Sequence, residues 1–155
     1  NHLAFNEEYV HSVSMIAAAY AAQGHKVLVV SNRVYFLKVC SQLVGDNAVH
    51  VTGDMDHAER EKTIKQLKKD KNVLFGTQSI FSEGISINEL SCIVLATPIN
   101  NEPLLTQLIG RIIRKEKGKL QPKVVDIHLK GKTASRQNQA RLGYYMKQGY
   151  EVTQL

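Results

Sequence analysis

The sequence predicts an α/β fold, a parallel sheet of about five or six strands with helices on both faces. Short apolar runs rich in β-branched residues recur along the chain, each of a length that suits one strand. The runs are apolar throughout rather than at alternate positions, as is typical of strands buried on both faces. Segments with helical start and stop signals alternate with them. The runs are Lys26–Val30, Ala48–Val51, Asn72–Gly76, Cys92–Ala96 and Lys123–Ile127.

Capping and stop signals predict the helices between these strands. Glu7 and Glu8 stand in the first turn of the first helix, where acidic side chains interact favourably with the helix dipole. Asp56 and Glu59 have the spacing of a capping box, and Pro103 suits the first turn of a helix. The helices are expected from Asn6 to Gly24, from Ser31 or Asn32 to Gly45, from Asp56 to about Lys69, from Pro103 to about Ile113, and from Ala134 to Lys147 with Gly149 as the stop.

Composition and charge restrict the class of protein. The 155 residues are 43% apolar and 22% charged, which is typical of one globular domain and excludes collagen-like, disulfide-scaffold and disordered chains. The net charge is +6, and the basic excess lies after residue 110, so a polyanion such as nucleic acid suits the chain as a partner. Because the chain opens with Asn1 rather than Met, we expect a piece of a longer protein.

The cysteines and the apolar runs indicate the compartment. Cys40 and Cys92 lie in apolar runs without a CxxC pair or a histidine at metal-ligand spacing. We therefore expect small buried thiols in a reducing compartment, and no metal site. The longest apolar runs fall far short of the ~20 residues that a membrane span requires. A cytoplasmic protein is expected, or a nuclear one in a eukaryote, with no membrane partner.

Ligands of parallel α/β sheets gather at the carboxyl ends of the strands. The segments expected there are Ser31–Arg33, Thr52–Asp54, Thr77–Ile87 and the residues that follow Ala96. A dinucleotide enzyme would need a GxGxxG turn after the first strand, but Val30 is followed by Ser-Asn-Arg. The candidate chemistry therefore lies in polar loops of another kind.

The strongest local pattern lies on the predicted fourth helix. At ~100° per residue, Gln107, Arg111 and Arg114 fall within about 60° of one another on one face, and apolar residues form the opposite side. Gly110 would allow a backbone or ligand to approach closely. A planar, permanently charged guanidinium can stabilise a phosphoryl group in transfer. The alternative is a solvated basic face that the following lysines extend.

This pattern is one of four that together resemble the superfamily 2 helicases. Residues 107–114 resemble the QxxGRxxR signature, motif VI. Residues 73–87, a strand that ends at a threonine and a turn that leads to a Gly-Ile pair, resemble motif V. Residues 26–37 resemble motif IV, and residues 51–60 resemble the segment between motifs IV and V. The four occur in the family's order over residues 24–130, with most likeness to the UvsW and XPB-like branch.

The resemblance implies a RecA-like second motor domain spanning residues 1–155. Such a domain closes over ATP and Mg²⁺, both held mainly by an N-terminal motor domain of the same polypeptide, and moves on nucleic acid, with DNA favoured over RNA. That first domain is expected to be absent from this chain. Gly131-Lys132-Thr133 has Asp126 where a phosphate loop needs its first glycine. We therefore expect the chain alone not to hydrolyse ATP.

The resemblance also implies roles for single residues. Arg111 and Arg114 would reach the γ-phosphate of ATP, and Gln107 would position nucleotide or water. Gly84 and Ser86 would face the same cleft, with Ser86 standing where many members carry Asp. Residues expected to hold the nucleic-acid backbone are Ser31, Asn32, Arg33, Gly53, Thr77 and Gln78. For the Ser31 and Thr77 hydroxyls, a turn or capping role at the end of a buried strand is the alternative.

Two further alternatives stay open at this point. Tyr144 and Tyr145, with Arg136, Arg141 and Lys147 alongside, could stack a base and pair with phosphates, although packing against the sheet is favoured. A non-catalytic RecA-like module that binds nucleic acid or protein would also lack a phosphate loop of its own. Such a module leaves the shared face of Gln107, Arg111 and Arg114 unexplained, so the motor domain is preferred.

Overall fold

A computed structural model describes residues 7–78, 87, 89–97, 99–112, 120–127 and 131–150. The helices are α1 (Glu7–Ala22), α2 (Val34–Val44), α3 (His57–Lys69), α4 (Glu102–Ile112) and α5 (Lys132–Lys147). The strands are β1 (Val27–Val30), β2 (Ala48–Val51), β3 (Val73–Gly76), β4 (Cys92–Leu95) and β5 (Lys123–Asp126). Each predicted strand is therefore found to within one residue at either end.

The described strands form one sheet in the order β2-β3-β1-β4-β5, and every neighbouring pair is parallel. The central strand β1 places Val30 opposite Gly76 on one side and Leu95 on the other. The predicted parallel sheet is confirmed, with five strands among the described residues. All the carboxyl ends lie at one edge of this sheet, which we call the carboxyl edge, and all the amino ends lie at the opposite, amino edge.

Alternate side chains along the strands divide the core into two clusters, one on each face of the sheet. In β1, Val27 and Val29 pack with α1 and α2, whereas Leu28 and Val30 pack with α3, α4 and α5. Helices thus cover both faces. Both sets of strand side chains are removed from water, which explains why the strand sequences are apolar at every position rather than at every second one.

Helix boundaries confirm one capping prediction and correct another. The Asp56 carboxylate accepts a hydrogen bond from the backbone N–H of Glu59 at 2.8 Å, which supplies the N-cap of α3. The prediction that Ser31 or Asn32 caps α2 is wrong, because Arg33 is the N-cap residue and no side chain caps that helix. Ser31 lies too early in the chain, where its hydroxyl accepts from the Arg33 N–H at 3.1 Å instead.

The remaining helix starts follow local chemistry that the sequence shows in part. Asn6 lies outside the described residues. Asn101 caps α4, since its side-chain oxygen accepts from the Leu104 N–H at 3.1 Å, and Pro103 stands in the first turn as predicted. α5 begins two residues before the predicted Ala134, directly after Gly131, whose φ of 123° is one that glycine adopts readily.

The buried thiols are structural, as predicted from their apolar neighbours. Cys40 packs in α2 and Cys92 in β4, and both are free and buried. Burial raises the pKa of the Cys40 thiol to about 11 and that of Cys92 to about 12, so both stay protonated near neutral pH. Within the described ranges, no three His, Cys, Asp or Glu residues gather in a way that could hold a metal ion. None of the described helices has the length and apolar character that crossing a bilayer requires.

Candidate functional site

Hydroxyl residues follow three neighbouring strands at the carboxyl edge. The register places Val30 and Val51 on either side of Gly76, so the next residues, Ser31, Thr52 and Thr77, lie side by side. All three are buried. The fourth strand, β4, is followed by Ala96 and then by another hydroxyl residue, Thr97. The parallel register therefore brings together hydroxyls that are far apart in the sequence.

Ser31 is the centre of this edge. Its side chain is only 1% exposed, and its Oγ lies 2.7 Å from the Thr97 Oγ1. Thr97 also donates to the Asn32 side-chain oxygen at 3.4 Å. These bonds join the loop after β1 to the loop after β4. The bond that the Ser31 Oγ accepts from the Arg33 N–H matches the turn role that the sequence left open for Ser31. Asn32 and Arg33 remain exposed beside the fixed hydroxyl.

The turn after β2 is held from both sides. Thr52 donates from its hydroxyl to the Asp54 carboxylate. Arg60 on α3 donates to the carbonyl of Gly53 at 3.2 Å, and Lys38 on α2 lies 3.8 Å from Asp54. The hydrogen bond from Thr52 lowers the pKa of the Asp54 carboxyl, so it stays ionised well below neutral pH. Gly53 is thus exposed on a turn whose backbone is fixed.

α4 leaves the same edge and packs on the sheet through one face. Leu105, Leu108 and Ile109 are buried against the strands, whereas Gln107 is exposed. A Cβ added to Gly110 would meet no described atom within 4 Å. The separation of an apolar and a polar face agrees with the predicted helix, and the close approach expected at Gly110 stays a prediction.

Several predicted site residues fall outside what the structure describes. Arg111 lies in the last turn of α4, but its side chain is outside the described part of the chain, as are Gly84, Ser86 and Arg114 as a whole. Gln78 is half-buried directly after Thr77 at the carboxyl edge. The structure therefore brings together Ser31, Asn32, Arg33, Gly53, Thr77 and Gln78 at one edge, and leads α4 away from it.

A buried ion pair closes the β5 end of the carboxyl edge. Arg141 on α5 is 3% exposed and donates from Nε and Nη2 to the two oxygens of Asp126, at 2.7 and 3.0 Å. Its Nη1 donates to the Asn100 side-chain oxygen at 2.6 Å. The sequence analysis missed this pair, since it treated Asp126 only as the residue that spoils a phosphate loop. A lone Asp at a strand end and an Arg on a later helix carry no spacing signal.

The two tyrosines of α5 pack inside the molecule. Tyr144 and Tyr145 are both buried in the cluster on the α3, α4 and α5 face. Tyr145 donates to Asp126 at 2.5 Å, and the Tyr144 hydroxyl bonds Thr106 on α4. The favoured prediction of packing is confirmed. The alternative, in which these rings stack a base, is wrong because both rings are buried in this cluster.

Tyr9 ties α1 to the same edge, another residue that sequence analysis missed. Its hydroxyl donates to the carbonyl of Ala96, and its ring lies 5.5 Å from that of Phe36 on α2. Burial raises the pKa of the Tyr9 hydroxyl to about 12. The hydroxyl therefore remains a donor at all physiological pH values and fixes the exit of β4 from the α1 side.

Comparison with known proteins gives this arrangement a family. The family model "Helicase conserved C-terminal domain" matches residues 9–116. A protein of Escherichia phage T5, "Probable helicase D10", is 39% identical over 149 residues, which cover 94% of this chain and 33% of that protein. "ATP-dependent DNA helicase uvsW" of Enterobacteria phage T4 is 28% identical over 116 residues, which cover 70% of this chain and 23% of that protein. This chain thus spans a third or less of these relatives.

The fold has a match among solved structures as well. The crystal structure of T4 UvsW superposes with a TM-score of 0.71 at 20% identity, covering 90% of this chain and 32% of that one. The RecA-like architecture implied by the four motifs is therefore confirmed. Since the family model covers more than half of the 155 residues, the chain belongs to the helicase conserved C-terminal domain family, the C-terminal RecA-like domain of the superfamily 2 helicases.

Proposed function

We propose that this chain is the second motor domain of an ATP-dependent helicase or translocase. In this proposal ATP binds mainly to an N-terminal motor domain of the same polypeptide, and α4 supplies Arg111 and Arg114 as arginine fingers. The observation that carries the proposal is the carboxyl edge itself, where fixed hydroxyls and exposed polar groups of four chain segments meet the start of α4. DNA is favoured over RNA because the T4 relative is named as a DNA helicase.

The exposed groups of the carboxyl edge suit a sugar-phosphate backbone. Asn32, Arg33 and Gly53 are exposed there, and the half-buried Thr97, itself bonded to the buried Ser31, holds the first of them in place. Amide, guanidinium and main-chain N–H donors position phosphates without reading base sequence. Thr77 and Gln78, directly after β3, extend the same row. We assign these residues to backbone binding with little sequence preference.

The finger role is assigned to α4 from its spacing and its packing. The buried side of the helix fixes its rotation, which leaves Gln107 exposed, and Arg111 follows one turn later in the sequence. A guanidinium offers a charged fork that stabilises the charge of a phosphoryl group in transfer. Gly84 and Ser86 complete the nucleotide-facing side in this proposal, together with Arg114.

Mg²⁺ belongs with the first motor domain in this proposal. The ion prefers carboxylate oxygens and water as ligands. Asp126 at the carboxyl edge is committed to Arg141 and Tyr145, and Asp54 bonds Thr52. Neither carboxylate therefore fits as a free magnesium ligand. When bound, the ion would offset charge on the ATP phosphates, next to the arginines that this chain supplies.

The decisive test is made in a polypeptide that joins this chain to its first motor domain. Arg111→Ala or Arg114→Ala is expected to lower nucleic-acid-stimulated ATP turnover by about a thousandfold or more, with nucleic-acid affinity nearly unchanged. Arg111→Lys is expected to fail as well, since an ammonium keeps the charge but loses the planar fork. Lys117→Ala is the control, and we expect a much smaller effect. A loss of nucleic-acid affinity larger than the loss of turnover would reassign both arginines to the strand.

The chain alone provides a second test. We expect no ATP turnover above background from the 155 residues, because they contain no phosphate loop that matches GxxxxGK[ST]. Turnover in a clean preparation that Arg111→Ala abolishes would contradict the assignment. If the joined polypeptide binds nucleic acid but shows no ATP turnover at all, the non-catalytic binding module is the better description.

A further inference from the structure

We propose that Arg141 on α5 is a positioning residue for α4, the helix that carries Gln107 and Arg111. The inference rests on the proposed function, because it assigns Arg141 a part in ATP turnover through the arginine-finger helix. Asp126 and Arg141 lie beyond residue 116, where the match to the family model ends. Their role therefore has to be argued from the contacts in this chain.

Arg141 joins three separate parts of the fold. Two of its nitrogens donate to Asp126, the last residue of β5, and Nη2 also donates to Asn138 on its own helix at 2.7 Å. The third nitrogen, Nη1, reaches Asn100 in the loop between β4 and α4 at 2.6 Å. The guanidinium thus ties the end of the sheet to the segment that leads into the finger helix.

Asn100 stands immediately before the N-cap of α4. The next residue, Asn101, accepts from the Leu104 N–H through its side chain and from the Leu105 N–H through its carbonyl, at 3.1 and 2.9 Å. A shift of Asn100 therefore moves the first turn of the helix. A second hydrogen bond joins α5 to α4 directly, between the hydroxyls of Tyr144 and Thr106. Both ties act on the N-terminal half of α4, next to Gln107.

Stability alone is a poor explanation for such a network. Desolvation of a buried ion pair offsets most of its Coulomb energy, and apolar residues of the same volume often serve a core equally well. A guanidinium adds direction, because its donors form a rigid planar fork. Here that fork aims one nitrogen out of the core at Asn100, which is exposed and could be hydrated without Arg141. The bond to Asn100 orients the loop rather than satisfying a buried amide.

The first arm of the test measures α4 directly, by amide hydrogen exchange on this chain. Asn100→Ala removes the acceptor and is expected to speed exchange at the first amides of α4 about tenfold relative to the sheet. Asn100→Asp keeps an acceptor for Nη1 and is expected to retain protection. Tyr145→Phe is the matched control, because it removes one hydrogen bond to Asp126 from the same network and leaves the bonds to Asn100 and Thr106 in place. Unchanged exchange in Asn100→Ala would overturn the inference.

The second arm measures ATP turnover in the polypeptide that includes the first motor domain. Asn100→Ala and Thr106→Val are each expected to lower kcat about ten- to a hundredfold, since small displacements of a catalytic group have effects of that size, with KM for ATP changed less than about twofold. Asn100→Asp and Tyr145→Phe are expected to keep kcat. In an Arg111→Ala background, Asn100→Ala should have no further effect, because both changes act through one helix.

Three outcomes would overturn the positioning role. The first is a kcat for Tyr145→Phe as low as that for Asn100→Ala, which would indicate general destabilisation. The second is that Asn100→Ala lowers kcat in the Arg111→Ala background by the same factor as in the unmodified polypeptide. That result would show that Asn100 does not act through Arg111. The third is an unchanged kcat despite faster exchange in α4. A wild-type polypeptide without turnover would instead overturn the proposed function, and the exchange arm decides the position of α4 independently of that result.

Discussion

The two edges of the sheet differ in how far they bury the polar residues next to the central strand β1. At the amino edge, His25 and Ser91 are both 3% exposed and bond each other at 2.8 Å. At the carboxyl edge, the buried Ser31 hydroxyl supports exposed neighbours, Asn32 and Arg33. These polar groups at the amino edge therefore close the fold, whereas the loop after β1 at the carboxyl edge leaves donors facing solvent.

Lys26 shows most clearly how the amino edge is closed. Its ammonium donates to the carbonyl of Leu67, in the last turn of α3, at 2.8 Å and to that of Lys71, two residues after the helix, at 2.6 Å. Desolvation lowers the pKa of Lys26, and the nearby carboxylates Asp70 and Glu89 oppose that shift. The Lys26 ammonium is therefore used to hold the end of α3. Arg33, by contrast, is exposed at the start of α2.

This contrast separates two kinds of mutational effect. Substitutions at the amino edge are expected to change the free energy of unfolding and leave ligand binding alone. Substitutions of exposed groups at the carboxyl edge are expected to do the reverse, as is usual for residues that a rigid scaffold presents in loops. Beyond the loss of turnover expected for Arg111→Ala, three variants test the separation.

Lys26→Met is expected to have the largest effect on stability. The apolar side chain keeps the packing of the methylene stem but leaves the carbonyls of Leu67 and Lys71 without this donor, which costs about 1–3 kcal/mol. Urea unfolding of this chain measures the change. Lys65→Met, at an exposed position of α3, is the control, and its free energy of unfolding should stay within about 0.5 kcal/mol of the unmodified chain. A midpoint unchanged in Lys26→Met, or a loss of nucleic-acid affinity without a loss of stability, would break the contrast.

Most of the fold could be predicted because the strands are buried on both faces. A run such as Val-Leu-Val-Val at 27–30 has one reasonable location, the centre of a covered sheet. The start of α2 could not be predicted in the same way. Ser31 and Asn32 look like capping residues in sequence, but the tertiary bond between Ser31 and Thr97 fixes the chain before the helix begins.

The sequence predicted the loops of the candidate site but not the buried side chains that hold those loops in place. Ser31–Arg33 and Thr52–Asp54 were found because the carboxyl ends of parallel strands converge. Arg141 and Asp126 were not found, because their pairing depends on how α5 packs across β5, and residues fifteen apart on different elements share no periodicity. Tyr9 was missed for the same reason, since its partner is a backbone carbonyl of Ala96.

Arg33→Ala sharpens the carboxyl side of the comparison. We expect about tenfold weaker binding of single-stranded DNA to this chain at low salt, and a slope of log affinity against log salt smaller by about one, because one phosphate contact is lost. Unfolding should change by less than about 0.5 kcal/mol. Lys147→Ala removes an equal charge from an exposed position in the last turn of α5 and serves as the control. Equal losses in both variants would show that only the net charge matters.

The smallest effect expected is a pH dependence that the amino edge imposes. Burial lowers the pKa of His25, with Lys123 adding to the shift, so the folded chain takes up this proton only at a pH below the value near 6.5 at which the unfolded chain does. Between those two values the unfolded state binds more protons, and the free energy of unfolding therefore falls as the pH is lowered from about 7, by at most about 1.4 kcal/mol per pH unit for one group.

His25→Gln keeps an amide that can bond Ser91 and is expected to make the slope between about pH 7 and 5.5 shallower, as measured by urea unfolding. Burial also lowers the pKa of His50, so part of the slope should remain. A slope that His25→Gln fails to change would show that this buried pair does not close the amino edge as the contrast requires.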